Sequence, residues 1–334
     1  MIRRALFNIL LLAAAFLLGG LLADYRCFLA TPVTLQGPSA AFDVPRGATL
    51  RQVADDLTRL GILPHPYYFL ALALQRGDQG RLKAGEFELT QGMRPTDVLE
   101  RLTSGKVVQY PVTLVEGWTF RQAVAAIAAD PRFSPDLAGK TDEELMEALG
   151  RPGEHPEGRL FPDTYHFPRG TPDLEVLRRA FERMDQVLAE EWEQRAEGLP
   201  IETPYQALIL ASIIEKETAV AAERPAIGGV FARRLEKGMR LQTDPTVIYG
   251  LGERFDGDLR REDLREPTPY NTYVIDGLPP TPIALPGREA IHAALHPEAG
   301  DSLYFVARGD GTHVFSRTLE EHNAAVRQYQ LGRP

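Results

Sequence analysis

The chain has a single cysteine, Cys27, among 334 residues. An intrachain disulfide is therefore excluded, and so is a cysteine cluster for zinc or an iron–sulfur centre. Basic charge is in deficit: 37 Lys and Arg face 46 Asp and Glu, a net charge of −9. A phosphate-binding surface needs a basic footprint, so no nucleic-acid partner is expected. No phosphate loop, dinucleotide-binding glycine motif or nucleophile elbow occurs. The His-Glu-x-x-His zinc pattern is missing too. His292 and His296 have i, i+4 spacing, but Pro297 ends the helix that would carry them, so neither metal nor cofactor is expected. A disordered composition is also lacking. With 44% hydrophobic and 25% charged residues the chain should bury real cores, and its length suggests two or three domains.

One long apolar run is present, from Ala5 to Ala23, with Asn8 its only polar member. At about 1.5 Å per residue it nearly crosses a bilayer core of roughly 30 Å. Arg3 and Arg4 precede it, which keeps the N-terminus in the cytoplasm and exports the rest; Arg26 beyond the run weakens that asymmetry slightly. The expectation is a single-pass anchor in the inner (cytoplasmic) membrane, residues 1–23, with the remainder periplasmic. The alternative is a cleaved signal peptide, for which Leu21-Leu22-Ala23 is a poor cleavage site. A lipoprotein is disfavoured because Arg26, not a small residue, precedes Cys27.

Residues 24–39, with Pro32 to Pro38, read as a linker. A pattern then recurs. Val44-Pro-Arg-Gly47 leads to Val53 and Leu57; Leu89-Thr-Gln-Gly92 leads to Val98 and Leu102; Leu114-Val-Glu-Gly117 leads to Ala123 and Ile127. Each is an apolar residue, a glycine suited to a positive-φ turn, and a short helix with apolar residues on one face. Thr49, Thr96 and Thr119 stand where a hydroxyl can cap the helix. This strand–turn–helix unit resembles the LysM module, often used to hold glycan chains. Residues 40–108 are expected to form such a module, and 109–200 a connecting region with the third unit and further helices. The alternative for these units is packed α+β scaffolding that positions the next domain.

Leu174 to Arg195 reads as one long helix, with Leu177, Phe181, Met184, Leu188 and Trp192 in its apolar stripe. Before it, Leu160 to Phe167 breaks the pattern with aromatics and a proline, as groove lining or as interdomain packing. The last expected domain, 201–334, holds helices over Tyr205–Ala222, Ala226–Lys237 and Thr318–Gln330. It also holds a hairpin of Ser302–Arg308 with Thr312–Ser316 through Gly309-Asp-Gly311. The expected fold class is α+β: an N-terminal transmembrane helix, LysM-like small modules, and a mostly helical C-terminal catalytic domain with a β-hairpin.

Chemistry centres on Leu210-Ala-Ser-Ile-Ile-Glu-Lys-Glu-Thr-Ala-Val220. On a helix, Glu217 falls among Leu210, Ile213, Ile214, Val220 and Ala221, and Glu215 points roughly 160° away. Glu217 then faces the interior or a cleft wall, where burial raises a carboxyl pKa as a general acid near neutral pH requires. Glu215 reads as a surface or hydrogen-bonding residue. Helix geometry leaves a second possibility for Glu217, a buried carboxylate tied to Arg224 or Arg240.

Glu215-Lys-Glu-Thr-Ala-Val220, Arg240-Leu-Gln-Thr-Asp-Pro-Thr-Val-Ile-Tyr-Gly250 and Tyr270-Asn-Thr-Tyr273 before Gly277-Leu-Pro-Pro280 closely resemble the YceG-like family of membrane-anchored endolytic murein transglycosylases. The likeness extends to Phe161-Pro-Asp-Thr-Tyr165, His296-Pro297 and Leu303-Tyr-Phe-Val306. It implies cleavage of the MurNAc-GlcNAc bond within nascent glycan strands, with Glu217 as acid and then base and 1,6-anhydro-MurNAc ends as product. It also implies peptidoglycan strands as substrate and peptidoglycan synthases as partners. Gln242, Thr243, Asp244, Tyr249, Asn271 and Tyr273 are candidate substrate-binding residues, since their motifs lack the periodicity of a core element. Gln242 and Asn271 would suit acetamido groups. Asp244 would either assist water, making the chain a hydrolytic muramidase, or cap a helix begun at Pro245. A non-catalytic, membrane-tethered peptidoglycan-binding scaffold is the remaining alternative.

Overall fold

A computed structural model of the chain describes residues 2–332. Met1 and residues 333–334, which the expected anchor and last domain include, lie outside the described residues, as does the side chain of Arg3. The chain divides into two compact units, Met1–Tyr110 with His166–Arg169, and Pro111–Tyr165 with Gly170–Pro334. Residues 109–200, expected as a connecting region, thus fall mostly with the C-terminal part.

The first unit opens with helix α1 (Ile2–Ala30). Within Arg4–Ala30 an 18-residue window has mean hydropathy 2.4 and no part of it is buried, which fits a membrane anchor or a signal segment. The helix outruns the expected anchor. Residues 24–30 continue it, and Phe28 and Val33 enter the core of the module that follows. Tyr68 donates its hydroxyl to Asp24 at 2.6 Å, and Tyr25 donates to Gln75 at 3.0 Å.

Strand β1 (Ser39–Val44), helices α2 (Leu50–Arg59) and α3 (Pro66–Arg76), strand β2 (Gly85–Thr90) and helix α4 (Pro95–Ser104) complete this unit's regular structure up to Ser104. β1 and β2 pair antiparallel with Phe42 opposite Phe87, and strand alternation sends Phe42, Val44, Phe87 and Leu89 into the core. Strand β3 (Tyr110–Thr113) and helix α5 (Phe120–Ala128) form the third strand–turn–helix unit. Gly47, Gly92 and Gly117 turn the chain at φ of 78°, 90° and 77°. Thr49 and Thr119 cap α2 and α5 in full capping boxes with Gln52 and Gln122. Thr96 does not cap α4. Pro95 takes the first helical position, so Arg94 becomes the cap residue and its N–H donates to Asp97 at 2.9 Å.

The rest of the second unit comprises α6 (Asp142–Ala148), α7 (Asp173–Glu193), α8 (Pro204–Glu217), α9 (Arg224–Glu236), α10 (Asp244–Leu251), α11 (Arg288–Leu295), strands β5 (Tyr304–Ala307) and β6 (His313–Ser316), and α12 (Leu319–Tyr329). β5 and β6 make the expected antiparallel hairpin, with Asp310 accepting the Thr312 N–H in its turn. Strand β4 (Thr164–Phe167) carries the aromatic segment. Leu160, Phe161, Tyr165 and Phe167 are all buried, so that segment is packing.

Every residue of α8 from Ala207 to Ile214 is buried. A helix that is apolar all round takes the centre of a bundle. Met184 and Leu188 of α7, Ile227 and Phe231 of α9, and Ile291 and Leu295 of α11 pack in the same core. Gly228 lets α9 approach α11 closely, since a Cβ there would stand 2.5 Å from the Ala293 carbonyl oxygen.

One expected element is shorter than its pattern. The helix begun at Pro204 ends at Glu217 instead of running to Ala222. Thr218 adopts extended φ and ψ of −144° and 137°, and its hydroxyl accepts the Val220 N–H at 3.0 Å. That local bond offers the backbone an alternative to the helix, and it wins here.

Candidate active site

Glu217 is thus the last helical residue of α8, and its carboxyl stands where the bundle core opens to a cleft of about 420 Å³. The opposite wall is the turn from Met239 into α10. Gln242 has φ of 52°, the one non-glycine residue with positive φ among the described residues. The chain is held in this uncommon conformation by two bonds. The Gln242 N–H donates to the Thr272 carbonyl at 3.1 Å, and the Thr243 N–H donates to the Thr272 hydroxyl at 3.0 Å.

The turn aims Thr243 at Glu217. Thr243 occupies the cap position of α10 but makes no side-chain cap; its hydroxyl donates instead to Glu217 Oε1 in a short hydrogen bond. Asp244 is the first residue of α10, and Tyr273 donates its hydroxyl to Asp244 Oδ1 at 2.6 Å. Burial pushes the Glu217 carboxyl up to about 7, and the neighbouring Asp244 carboxylate pushes the same way. The Thr243 hydrogen bond and His313 pull against them.

Glu215, expected at the surface or in a hydrogen bond, is a buried ion-pair partner. Its side chain is 5% exposed, pairs with Arg224 at 3.1 Å and accepts the Gly287 N–H at 3.0 Å. Arg224 also pairs with Glu289, and Arg240 pairs with Asp276. Both arginines weighed as partners for Glu217 are therefore engaged elsewhere, and Glu217 pairs with no cation among the described residues. Glu215 thus neutralises a buried guanidinium, while Glu217 lines the cleft with its carboxyl pushed up by burial.

Of the six residues expected to bind substrate, Gln242, Thr243, Asp244 and Tyr273 line the cleft with Glu217. Two do not. Asn271 is fully buried, its amide donating to the Asp263 and Glu266 carbonyls and its oxygen accepting the Tyr273 N–H; it builds the loop and has no reach to a ligand. Tyr249 lies on another face of α10, where it donates to Glu157 at 3.1 Å. Five residues separate it from Asp244, a rotation of roughly 140° on a helix.

Several cleft residues carry no signal in the sequence. Arg234, buried on α9, donates to the backbone carbonyls of Leu303, Arg240 and Leu241 and lies 5.0 Å from the Tyr304 ring centroid. His313 bonds Glu223 at 2.7 Å, and His322 stacks on Tyr304 with its buried Nδ1 lacking a protein partner. All three line the same cleft. A different cluster, Glu191, His292 and His296, brings possible metal-ligand atoms within 4.8 Å. Its imidazoles stack nearly parallel at 4.1 Å, so their in-plane lone pairs do not converge, and Glu191 is held by Arg288 at 2.7 Å. That donor set fits an ion poorly.

A carboxyl near neutral pKa beside hydroxyl and amide donors suits acid–base chemistry on an uncharged, polar substrate. Known proteins agree in kind. An endolytic murein transglycosylase of Bacillus subtilis (strain 168) is 34% identical over 304 residues, 86% of this chain and 84% of the relative. An enzyme of the same name from Streptococcus pneumoniae D39 is 28% identical over 320 residues, 86% of this chain and 57% of the longer relative. The crystal structure of a yceG-like protein of Listeria monocytogenes aligns with a TM-score of 0.57 at 32% identity, over 86% of this chain and 98% of that one. Residues 42–328 match the family model itself, and the chain belongs to the YceG-like family.

Proposed function

We propose that the chain is an endolytic murein transglycosylase, cutting the MurNAc-GlcNAc bond inside glycan strands with Glu217 as its single acid and base. Besides the family, the observation that carries this reading is the Glu217 carboxyl, raised to about 7 in the cleft and in no ion pair among the described residues. Protonated Glu217 gives its proton to the glycosidic oxygen as the bond from MurNAc C1 breaks. The C6 hydroxyl of the same MurNAc then closes on C1, and its proton returns to Glu217. The products are a GlcNAc hydroxyl end and a 1,6-anhydro-MurNAc end. No water is consumed and the carboxyl is regenerated.

The transition state is oxocarbenium-like and gains from placed polar groups. Gln242 and Tyr273 are the neutral candidates. Asp244 is engaged by the Tyr273 hydroxyl, which favours a supporting carboxylate over a base for water. The apolar α1 helix would anchor the chain in the inner membrane with the remainder periplasmic, beside nascent strands and the synthases that make them. The first unit, with its antiparallel pair enclosing two helices, would hold glycan as a LysM-like module.

The test is digestion of purified glycan strands by the full chain in detergent, alongside Glu217→Gln, with ends read by mass spectrometry. Anhydro ends that disappear in the variant are expected. Ends heavier by one water would make the chain a muramidase, and absence of cleavage by the unaltered chain would leave a binding scaffold.

A further inference from the structure

Besides the Glu217 cleft, the second unit has a larger pocket of about 900 Å³ that touches the same two helix ends. Lys216 and Pro245 line this pocket, while their chain neighbours Glu217 and Asp244 line the cleft. One residue step at the end of α8, and one at the start of α10, separates the two hollows.

The pocket contains a built polar centre. Glu157 is 4% exposed, and its Oε1 accepts the N–H groups of Phe120 at 2.9 Å and Gly158 at 3.3 Å. Its Oε2 accepts the Tyr249 hydroxyl at 3.1 Å. Oε2 retains acceptor capacity, and the Tyr249 oxygen can accept as well as donate. Beside this centre Tyr249 and Tyr270 meet edge to face at 5.0 Å, and Ile248 and Pro245 extend an apolar wall. The cations at the rim are engaged: Lys216 donates to the Gly117 carbonyl at 3.2 Å, and Arg121 pairs with Asp142 at 2.7 Å. Burial holds the Glu157 carboxyl up at about 7, so it is only partly ionised near neutrality. His155 and the exposed Glu253 add to the polar part of the lining. An apolar wall facing hydroxyl and carboxyl groups matches a polyhydroxylated ring, whose C–H face packs and whose rim hydrogen-bonds.

We infer that this pocket is a second saccharide-binding station, taking a neutral N-acetylated hexose unit of the strand beyond the bond that is cut. The inference rests on the murein transglycosylase reading and adds to it the site that grips the strand away from Glu217. Tyr249 and Glu157 are its binding residues, and Ile248 is the wall position where bulk would fill it.

The test uses the full chain in detergent carrying Glu217→Gln, with the hexamer of N-acetylglucosamine as probe in calorimetric titration. Saturable binding is expected. Adding Ile248→Trp, or separately Tyr249→Phe, should weaken it at least about tenfold, ~1.4 kcal/mol. Tyr249→Phe removes one hydroxyl, and an unchanged melting temperature shows that it folds. In the otherwise unaltered chain, Tyr249→Phe should raise KM for long strands by a similar factor and leave kcat within about twofold, as lost uniform binding requires. Unchanged hexamer affinity in both variants, or no saturable binding to begin with, overturns the pocket. If the unaltered chain still produces anhydro ends, that failure belongs to the pocket alone; if it produces none, the transglycosylase reading has failed instead.

Discussion

The hydroxyl of Thr243 donates to Glu217 and so leaves the first turn of its own helix without a side-chain cap. A threonine cap contributes about 1 kcal/mol to a helix, and here that contribution is forgone at the residue facing the acid. The bond favours the ionised carboxyl and opposes the burial that raises its pKa.

Thr243→Val keeps the shape and removes the donor. The Glu217 pKa should then climb further, and the alkaline limb of the cleavage rate, set by loss of the Glu217 proton, should move to higher pH. A shift of about one unit corresponds to ~1.4 kcal/mol of hydrogen bonding. A pH–rate profile of the variant that superimposes on the parent's would refute the role.

Stability should also depend on Glu217. Its carboxyl rises from an ordinary 4.5 to about 7 in the folded chain. The resulting stabilisation is fully present below pH 4.5 and is lost as the pH rises through about 7. Glu217→Gln removes this dependence. Denaturant melts at pH 5 and pH 8 should show the variant gaining on the parent at the higher pH; parallel behaviour at both would count against a buried, protonated Glu217.

Glu215→Gln should act on stability and leave the chemistry alone. It leaves the Arg224 guanidinium, 8% exposed, without one of its carboxylates. Breaking a buried pair costs about 3 kcal/mol, and the remaining Glu289 and Glu116 contacts should soften the loss. Urea unfolding would read the drop, and kcat of the folded protein should stay within about twofold, since no uniquely transition-state contact is lost. A large fall in kcat at unchanged stability would reverse the assignment of the two glutamates.

Gln242→Gly should separate stability from activity. Positive φ in a non-glycine residue costs on the order of 1 kcal/mol, so glycine should raise the melting temperature or leave it unchanged. Cleavage should fall, because the cleft loses an amide and the turn that aims Thr243 loses rigidity. Faster cleavage by the variant would remove Gln242 from the site.

Much of this was legible in the sequence. The repeated apolar–glycine–helix pattern located three strand–turn–helix units, because a positive-φ glycine and a capping threonine are local signals. Helix-face position did not separate the two glutamates: α8 is buried all round, and Glu215, read as the outward one, is buried with Arg224. The stop at Thr218 was not legible, since it depends on a side-chain bond to Val220 that periodicity does not encode. Arg234 was hidden because a cation on a helix reads as solvated until the carbonyls of Leu303, Arg240 and Leu241 are folded over it. Tyr249 and Asn271 were assigned by membership of a motif. A motif does not say which face of α10 a residue takes, or whether an amide is already bonded within its own loop.

The abrupt end of α8 has an electrical consequence. Peptide dipoles aligned along a helix sum to a partial negative charge at its C-terminus, felt within the last turn. Glu217 is the final residue of that turn, so a sugar bound against it meets the negative pole as well as the carboxyl. In the proposed reaction C1 becomes cationic as its bond breaks; that pole would stabilise it by about 0.3–1 kcal/mol, and Asp244 across the cleft would add its own field. The backbone of α8 would thus act as a fixed counter-charge for a cation that exists only during the reaction.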